Sequence, residues 1–432
     1  MKPEARTLTG VLLVLLGITL SGFRQHDIDQ GAGFARSDAG LVAAWNELAY
    51  DLAVAEDQFL TFKGHRSFAM MHLAMHDALN SIVPVYRRYA YGGKRREAHP
   101  TVAAAQAAYE VLVSQYPDQQ ARLASGLAVW LGAAQHDRMR TRGIELGKAA
   151  AAASLARREG DGWDFEGTYE FRSEAGQYQT TPPWNGFVAH PGFRFARPFA
   201  LAQPGQFRPP PSPRLESKAY ARALHEVKEY GAINSARRSK DQTAYALWWM
   251  EFAEGSVNRL SRQLVTERGT HLWVAARLFA HLNMSLFDGY VANWDSKYEY
   301  NHWRPYTAIR AADADRSDGT VADPEWEPLR PTPPFPEYAS AHATACAATM
   351  EVLERTFGKD VSFTMTTTTA PPGMPTRAFA SFHDAARECA DSRVRLGWHF
   401  RYATEAGLTL GRRVATHTMR HYLRREDRSP WN

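Results

Sequence analysis

The sequence predicts a mainly α-helical protein built from helix bundles, two of them packed together, with at most a small β-hairpin. Three observations carry this. Apolar residues recur at three-to-four spacing through most of the chain, which is the signature of amphipathic helices. Convincing alternating strands are nearly missing. Proline- and aromatic-rich segments separate the helical blocks instead of short turns.

The helical pattern begins with "SFAMMHLAMHDALNSI" (67–82), "TVAAAQAAYEVLVSQY" (101–116) and the long stretch 118–158, giving an N-terminal helical part over 40–160. A second helical part, 216–425, holds "SKAYARALHEVKEYG" (217–231), "DQTAYALWWMEFA" (241–253), the apolar run 269–298 and "ATEAGLTLGRRVATHTMRHYLRR" (403–425). Between them, 161–215 is rich in Pro, Gly and aromatics ("TTPPWNGFVAHPGFRFARPF"). It reads as a long irregular excursion, and loops of that length usually serve function or pack across a surface. The best hairpin candidate is "DVSFTMTTTT" (360–369), full of β-formers and closed by Pro371, Pro372 and Gly373.

Residues 1–22, with Lys2 and Arg6 ahead of an apolar run and then Ser21 and Gly22, have the layout of a secretory signal peptide. Export to a periplasmic or extracellular location is therefore expected, with no membrane span in the mature chain. The apolar run is shorter than the ~20 residues a bilayer span needs. A net charge of +5 spread over 432 residues is a weak field, and no basic run interleaves with aromatics, so a nucleic-acid partner is not expected. Cys346 and Cys389 are the only cysteines. Two make no disulfide framework, and both a single bridge and two buried thiols remain open.

Chemistry concentrates in three pieces of the second half. In "WDSKYEYNHWRPY", Lys297 and Arg304 are seven apart, so on a continuous helix they share a face and repel unless an anion sits between them. Pro305 biases Arg304 towards a helix end. In "PPFPEYASAHA", Ser340 sits where an N-cap would be, so the N–H groups of Ala341 and His342 are first-turn donors able to cradle an anion. In "ADSRVRLGWHFRYA", Arg393 supplies a fork suited to tetrahedral oxyanions, and His399 follows six residues later.

Taken in order, Lys-x6-Arg-Pro, a Pro-Ser-Gly-His-like element and Ser-Arg-x5-His resemble the vanadium-dependent haloperoxidases. The same pattern serves the acid phosphatases and type 2 phosphatidic-acid phosphatases that share their active site. The stretches "SFAMMHLAMHDALNSIVPVYRRYAY" and "ESKAYARALHEVKEYGAINSARRSKDQTAYALWW" are similar to the soluble, secreted bacterial branch, so the resemblance spans most of the mature chain. It implies that Lys297, Arg304 and Arg393 bind the equatorial oxygens of vanadate or phosphate, with Ser340 and the Ala341 N–H as further donors. It implies that His399 is the vanadate ligand in a peroxidase and the phosphorylated nucleophile in a phosphatase, and that His342 is the acid/base. Trp294 and Phe335 stand where vanadium chloroperoxidases have the Trp and Phe of a halide pocket.

Three positions depart from the family pattern. Ala341 replaces the Gly of the Pro-Ser-Gly-His element, and Ala339 replaces its Pro. Ala403 stands where many members have an Asp that orients the last histidine, and Glu405 is the nearest acid in sequence. The leading reading is a vanadium-dependent haloperoxidase-like enzyme oxidising halide with hydrogen peroxide. The alternative is a secreted acid phosphatase hydrolysing phosphate esters, with phosphate as the competing ligand, and a third is a non-enzymatic anion-binding module. The pairs His72/His76 and His417/His421 have i, i+4 spacing but no third ligand nearby and read as core or surface histidines; His302 carries no assignment.

Overall fold

The computed structural model describes residues 39–57, 62–134, 136–184 and 186–427; the expected signal peptide lies outside these. Thirteen α-helices are found among the described residues. They are α1 (Gly40–Asp57), α2 (Phe62–Ile82), α3 (Pro100–Gln115), α4 (Gln120–Leu131), α5 (Asp137–Arg157), α6 (Lys218–Gly231) and α7 (Lys240–Trp248). There follow α8 (Ala253–Glu267), α9 (Leu272–Tyr300), α10 (Pro305–Arg310), α11 (Ala341–Phe357), α12 (Phe382–Arg395) and α13 (Arg401–His421). The fold is mainly α, as the periodicity predicts. Its two strands, β1 (Phe363–Thr366) and β2 (Thr376–Phe379), pair antiparallel with Phe363 opposite Phe379, inside and just beyond the predicted hairpin segment. The stretch 118–158 is interrupted between Leu131 and Asp137, so it forms α4 and α5 rather than one rod.

Two helices, α2 and α9, are buried on almost every face although both carry polar and charged residues. The central helix α9 packs against α2, α11 and α13, and the main core takes in α1–α5, α7–α9 and α11–α13, while α6 and α10 share a smaller cluster. Some of the polar residues inside this core are paired with one another or with backbone. Asn46 bridges His72 and Asn258, and His76 meets the Arg87 carbonyl, so both histidines serve packing.

The excursion 161–215 is irregular but tightly strapped to α9. The Asp288 carboxylate accepts the backbone N–H groups of Phe199, Ala200 and Leu201 at 2.6, 2.7 and 3.0 Å. Arg208 forks onto Asp295 at 2.7 and 2.9 Å, and the Ala189 N–H reaches the Pro334 carbonyl. The excursion thus holds down the proline-rich loop that precedes α11. On the other side of that loop, α13 approaches α11 through Gly407 and Gly411. A Cβ at Gly407 would lie 2.6 Å from the Ser340 carbonyl oxygen, and one at Gly411 would lie 2.2 Å from that of Thr344, so only glycine permits the contact.

Candidate oxyanion site

The end of α9, the turn before α10, the start of α11 and the link from α12 to α13 converge on one buried point. Lys297 lies in the last turn of α9. Asn301, at φ 47°, ends that helix, and Arg304 becomes the N-cap of α10. The shared helical face expected for Lys297 and Arg304 is therefore replaced by a reversal of the chain between them. Ser340 is the N-cap of α11 and its hydroxyl accepts from the Ala343 N–H at 3.5 Å, which leaves the N–H groups of Ala341 and His342 in the first turn. Arg393 lies in the last turn of α12, and His399 sits in the link before α13.

All three cations are buried, and their donors can be accounted for one by one. Lys297 Nζ donates to the carbonyls of Pro336, Glu337 and Ala339 at 2.8, 3.0 and 2.7 Å, so each ammonium proton holds the proline-rich loop. Arg304 donates from Nε to the Phe335 carbonyl at 2.8 Å. Its Nη1 donates to the Trp398 carbonyl and to His399 Nε2 at 2.9 and 3.1 Å. Arg393 donates from Nε to Ser392 Oγ and from Nη2 to the Trp249 carbonyl. Arg304 Nη2 and Arg393 Nη1 are buried with no partner among the described residues. Buried guanidinium N–H groups are costly to leave unpaired, and an oxyanion offers the acceptors they lack.

The electrostatics say the same. Burial pushes Arg304 down to about 10 and Arg393 down to about 9. Burial and then Arg304 hold Lys297 well below the usual ammonium range. His399 is held well below 6.5 by burial, then by Arg304, Lys297 and Arg393, which places all of these groups within mutual reach. A bound anion reverses each of these shifts.

His342 is held neutral by burial and by Arg393. Its Nε2–H donates to the Glu251 carbonyl at 3.3 Å, leaving the lone pair on Nδ1. The Phe252 ring, 44% exposed, lies nearly parallel to it with centroids 6.2 Å apart, so His342 marks the solvent side of the site. Trp294 and Phe335 do come together, with ring centroids 5.1 Å apart. The Phe335 face lies 5.0 Å from Lys297 Nζ and 4.9 Å from the Arg304 guanidinium. Trp294 Nε1 is buried with no partner among the described residues. His302 is turned away: its Nε2 meets the Tyr402 hydroxyl at 2.7 Å.

One feature resolves an alternative the sequence left open, and a second was missed. Cys346 and Cys389 form a disulfide that ties α11 to α12, one turn from His342 and one turn from Arg393. The second feature is Glu337, fully buried, whose Oε1 lies 2.9 Å from His399 Nδ1 and accepts the Phe400 N–H at 2.9 Å. Burial pushes this carboxyl up to about 8 against the pull of Arg304 and Lys297. Glu405, the nearest acid in sequence, is exposed and lines a surface groove with Arg401 and Arg412. Glu337 was legible only as the single acid inside the "PPFPEYASAHA" stretch.

Arg304, Arg393, Lys297 and His399 thus meet at the ends of four helices, and the two guanidinium nitrogens without a partner among the described residues could hold an oxyanion. Residues 277–427 match the family described as VCPO second helical-bundle domain. A vanadium chloroperoxidase of Curvularia inaequalis is 30% identical over 150 residues, covering 29% of this chain, and the match spans about a quarter (24%) of that relative's length. Among solved structures, the first bacterial vanadium-dependent iodoperoxidase matches with TM-score 0.78 and 23% identity, over 92% of this chain and 100% of that one. A holo-type bacterial vanadium-dependent chloroperoxidase matches with TM-score 0.64 and 19% identity, over 83% of this chain and 92% of that one. At these identities the structural likeness is one of fold. The domain match itself reaches only residues 277–427, and beyond it the chain shares the fold of these haloperoxidases.

Proposed function

We propose that the protein is a vanadium-dependent haloperoxidase that oxidises halide with hydrogen peroxide. The reaction passes two electrons from halide to peroxide, consumes one proton, and yields a hypohalous acid and water. His399 Nε2 would hold vanadate, with Arg304, Arg393, Ser340 and the Ala341 N–H around its oxygens and Lys297, its protons held by the loop carbonyls, adding positive charge. The donor set fits, because two buried arginine N–H groups lack acceptors and three cations offset a multiply charged oxyanion. Vanadate, when bound, supplies an electrophilic centre that activates peroxide. Neutral His342 has a lone pair to take a proton from peroxide and can return it to the leaving oxygen.

The observation that favours peroxidase over phosphatase chemistry is the Trp294–Phe335 wall beside Lys297 and Arg304. Apolar faces and one unpaired indole N–H suit a large, weakly hydrated halide. They give nothing to the polar leaving group of a phosphate ester. The Cys346–Cys389 bridge supports an exported location, since such bonds persist in oxidising compartments.

The test is titration of the ligand-free protein with orthovanadate, followed by parallel assays of bromide-dependent peroxidation and phosphate-ester hydrolysis. Peroxidation with negligible hydrolysis is expected; hydrolysis without peroxidation sinks the proposal and supports the phosphatase alternative. His399→Ala removes both orthovanadate binding and activity, and an active His399→Ala variant would mean that the site is elsewhere.

A further inference from the structure

Arginine has no acceptor, so the 3.1 Å contact from Arg304 Nη1 requires His399 Nε2 to present its lone pair. The ring proton of neutral His399 is therefore on Nδ1, 2.9 Å from Glu337 Oε1. Oε1 also accepts the Phe400 N–H, so the residue following His399 is fixed by the same atom. Glu337 is itself immobilised. Its own carbonyl accepts from Lys297, its N–H donates to the His302 carbonyl, and its side chain is fully buried. The position expected to supply an orienting acid is Ala403, which has no polar side chain, and its carbonyl accepts the Ser340 N–H.

We infer that Glu337 is the positioning residue for His399: from the proline-rich loop it locks the ring in the Nδ1–H tautomer and turns Nε2 towards the bound oxyanion. It does so from 62 residues earlier in sequence, in place of the acid absent at Ala403. An acceptor oxygen on the far nitrogen raises the basicity of the ligating one and removes the entropy of ring rotation. The assignment also makes Phe335–Ala339 a single device. Its carbonyls hold Lys297 and Arg304 while its one side-chain acid holds His399. The inference rests on the proposed site but not on the proposed reaction, because vanadate and phosphate need the same Nε2.

Two measurements test it. Nitrogen-15 correlation spectra of the histidine-labelled parent, with the His399 signal assigned by its loss in His399→Ala, should show the Nδ1–H tautomer. An Nε2–H tautomer overturns the inference without any change at Glu337. Orthovanadate and inorganic phosphate titrations of Glu337→Ala should both show affinity down about 10- to 100-fold. Glu337→Gln, which keeps an oxygen opposite Nδ1, should recover most of it at unchanged melting temperature. Equal affinity in Glu337→Ala and the parent overturns the inference. Loss of bromide peroxidation in the parent, with anion binding intact, would instead count against the proposed function and leave this assignment standing.

Discussion

Two of the buried charges on helix α9, Asp288 and Lys297, lie nine residues apart. Each is satisfied by loop backbone, but only Lys297 stands beside charges that, among the described residues, are not. Asp288 is closed on itself: its two oxygens accept three backbone N–H groups of the excursion, at 2.6 to 3.0 Å. At the other end, Lys297 belongs to a cluster in which Arg304 Nη2 and Arg393 Nη1 have no partner among the described residues. Asp77 repeats the closed arrangement, accepting the N–H groups of Tyr89, Ala90 and Tyr91. Burial of a charge does not mark a ligand site; an unfilled valence beside it does. A satisfied carboxylate fastens a loop, whereas an unsatisfied guanidinium waits for an acceptor.

That contrast predicts separable phenotypes. The largest effect is expected from Asp288→Leu, which orphans three backbone N–H groups and should cost at least about 3 kcal/mol by denaturant unfolding. Orthovanadate affinity of the folded fraction should be unchanged. Arg393→Leu should do the reverse. Oxyanion affinity falls about 10- to 150-fold, the value of a charge-assisted hydrogen bond. The ligand-free melting temperature holds or rises, because an incompletely paired buried charge is gone. If Arg393→Leu unfolds the protein while binding survives, the distinction between closed and open charges is broken.

Saturation sharpens the comparison further. Orthovanadate at a hundred times its dissociation constant should stabilise the parent by about 2.7 kcal/mol, and Asp288→Leu by the same increment. The Arg393→Leu variant at that concentration should gain little.

The smallest effect is that of pH on the ligand-free fold. Burial holds His72, His76 and His302 at about 3, against an ordinary 6.5. The unfolded chain then binds more protons, so the stability these rings confer is complete above pH 6.5 and is lost as pH falls towards 3. Asp77 and Asp288, raised to about 6 by burial, act oppositely between 3.8 and 6. Denaturant midpoints should therefore fall most steeply just below pH 6.5 and more slowly below 6. A midpoint that rises on acidification from pH 7 to 6 would contradict the burial of these histidines.

Much of this molecule was legible before folding. Helical periodicity is a local property, so the mainly α fold, the break at the excursion and the hairpin near β1 follow from neighbours in sequence. The order of the Lys297, Arg304, Ser340, His342, Arg393 and His399 elements was legible too, because spacing within each motif fixes which residues reach a helix end. Ser340 capping α11 is such a case. What sequence could not say is which atoms those residues would meet. The protons of Lys297 go to three loop carbonyls about forty residues away, the disulfide spans 43 residues, and the acid on His399 comes from Glu337 rather than from four residues downstream. Periodicity and motif spacing decided the helices and the cast of the site. Only tertiary packing, which sets hydrogen-bond partners across long sequence separations, decided which donors were used up and which were left without a partner among the described residues.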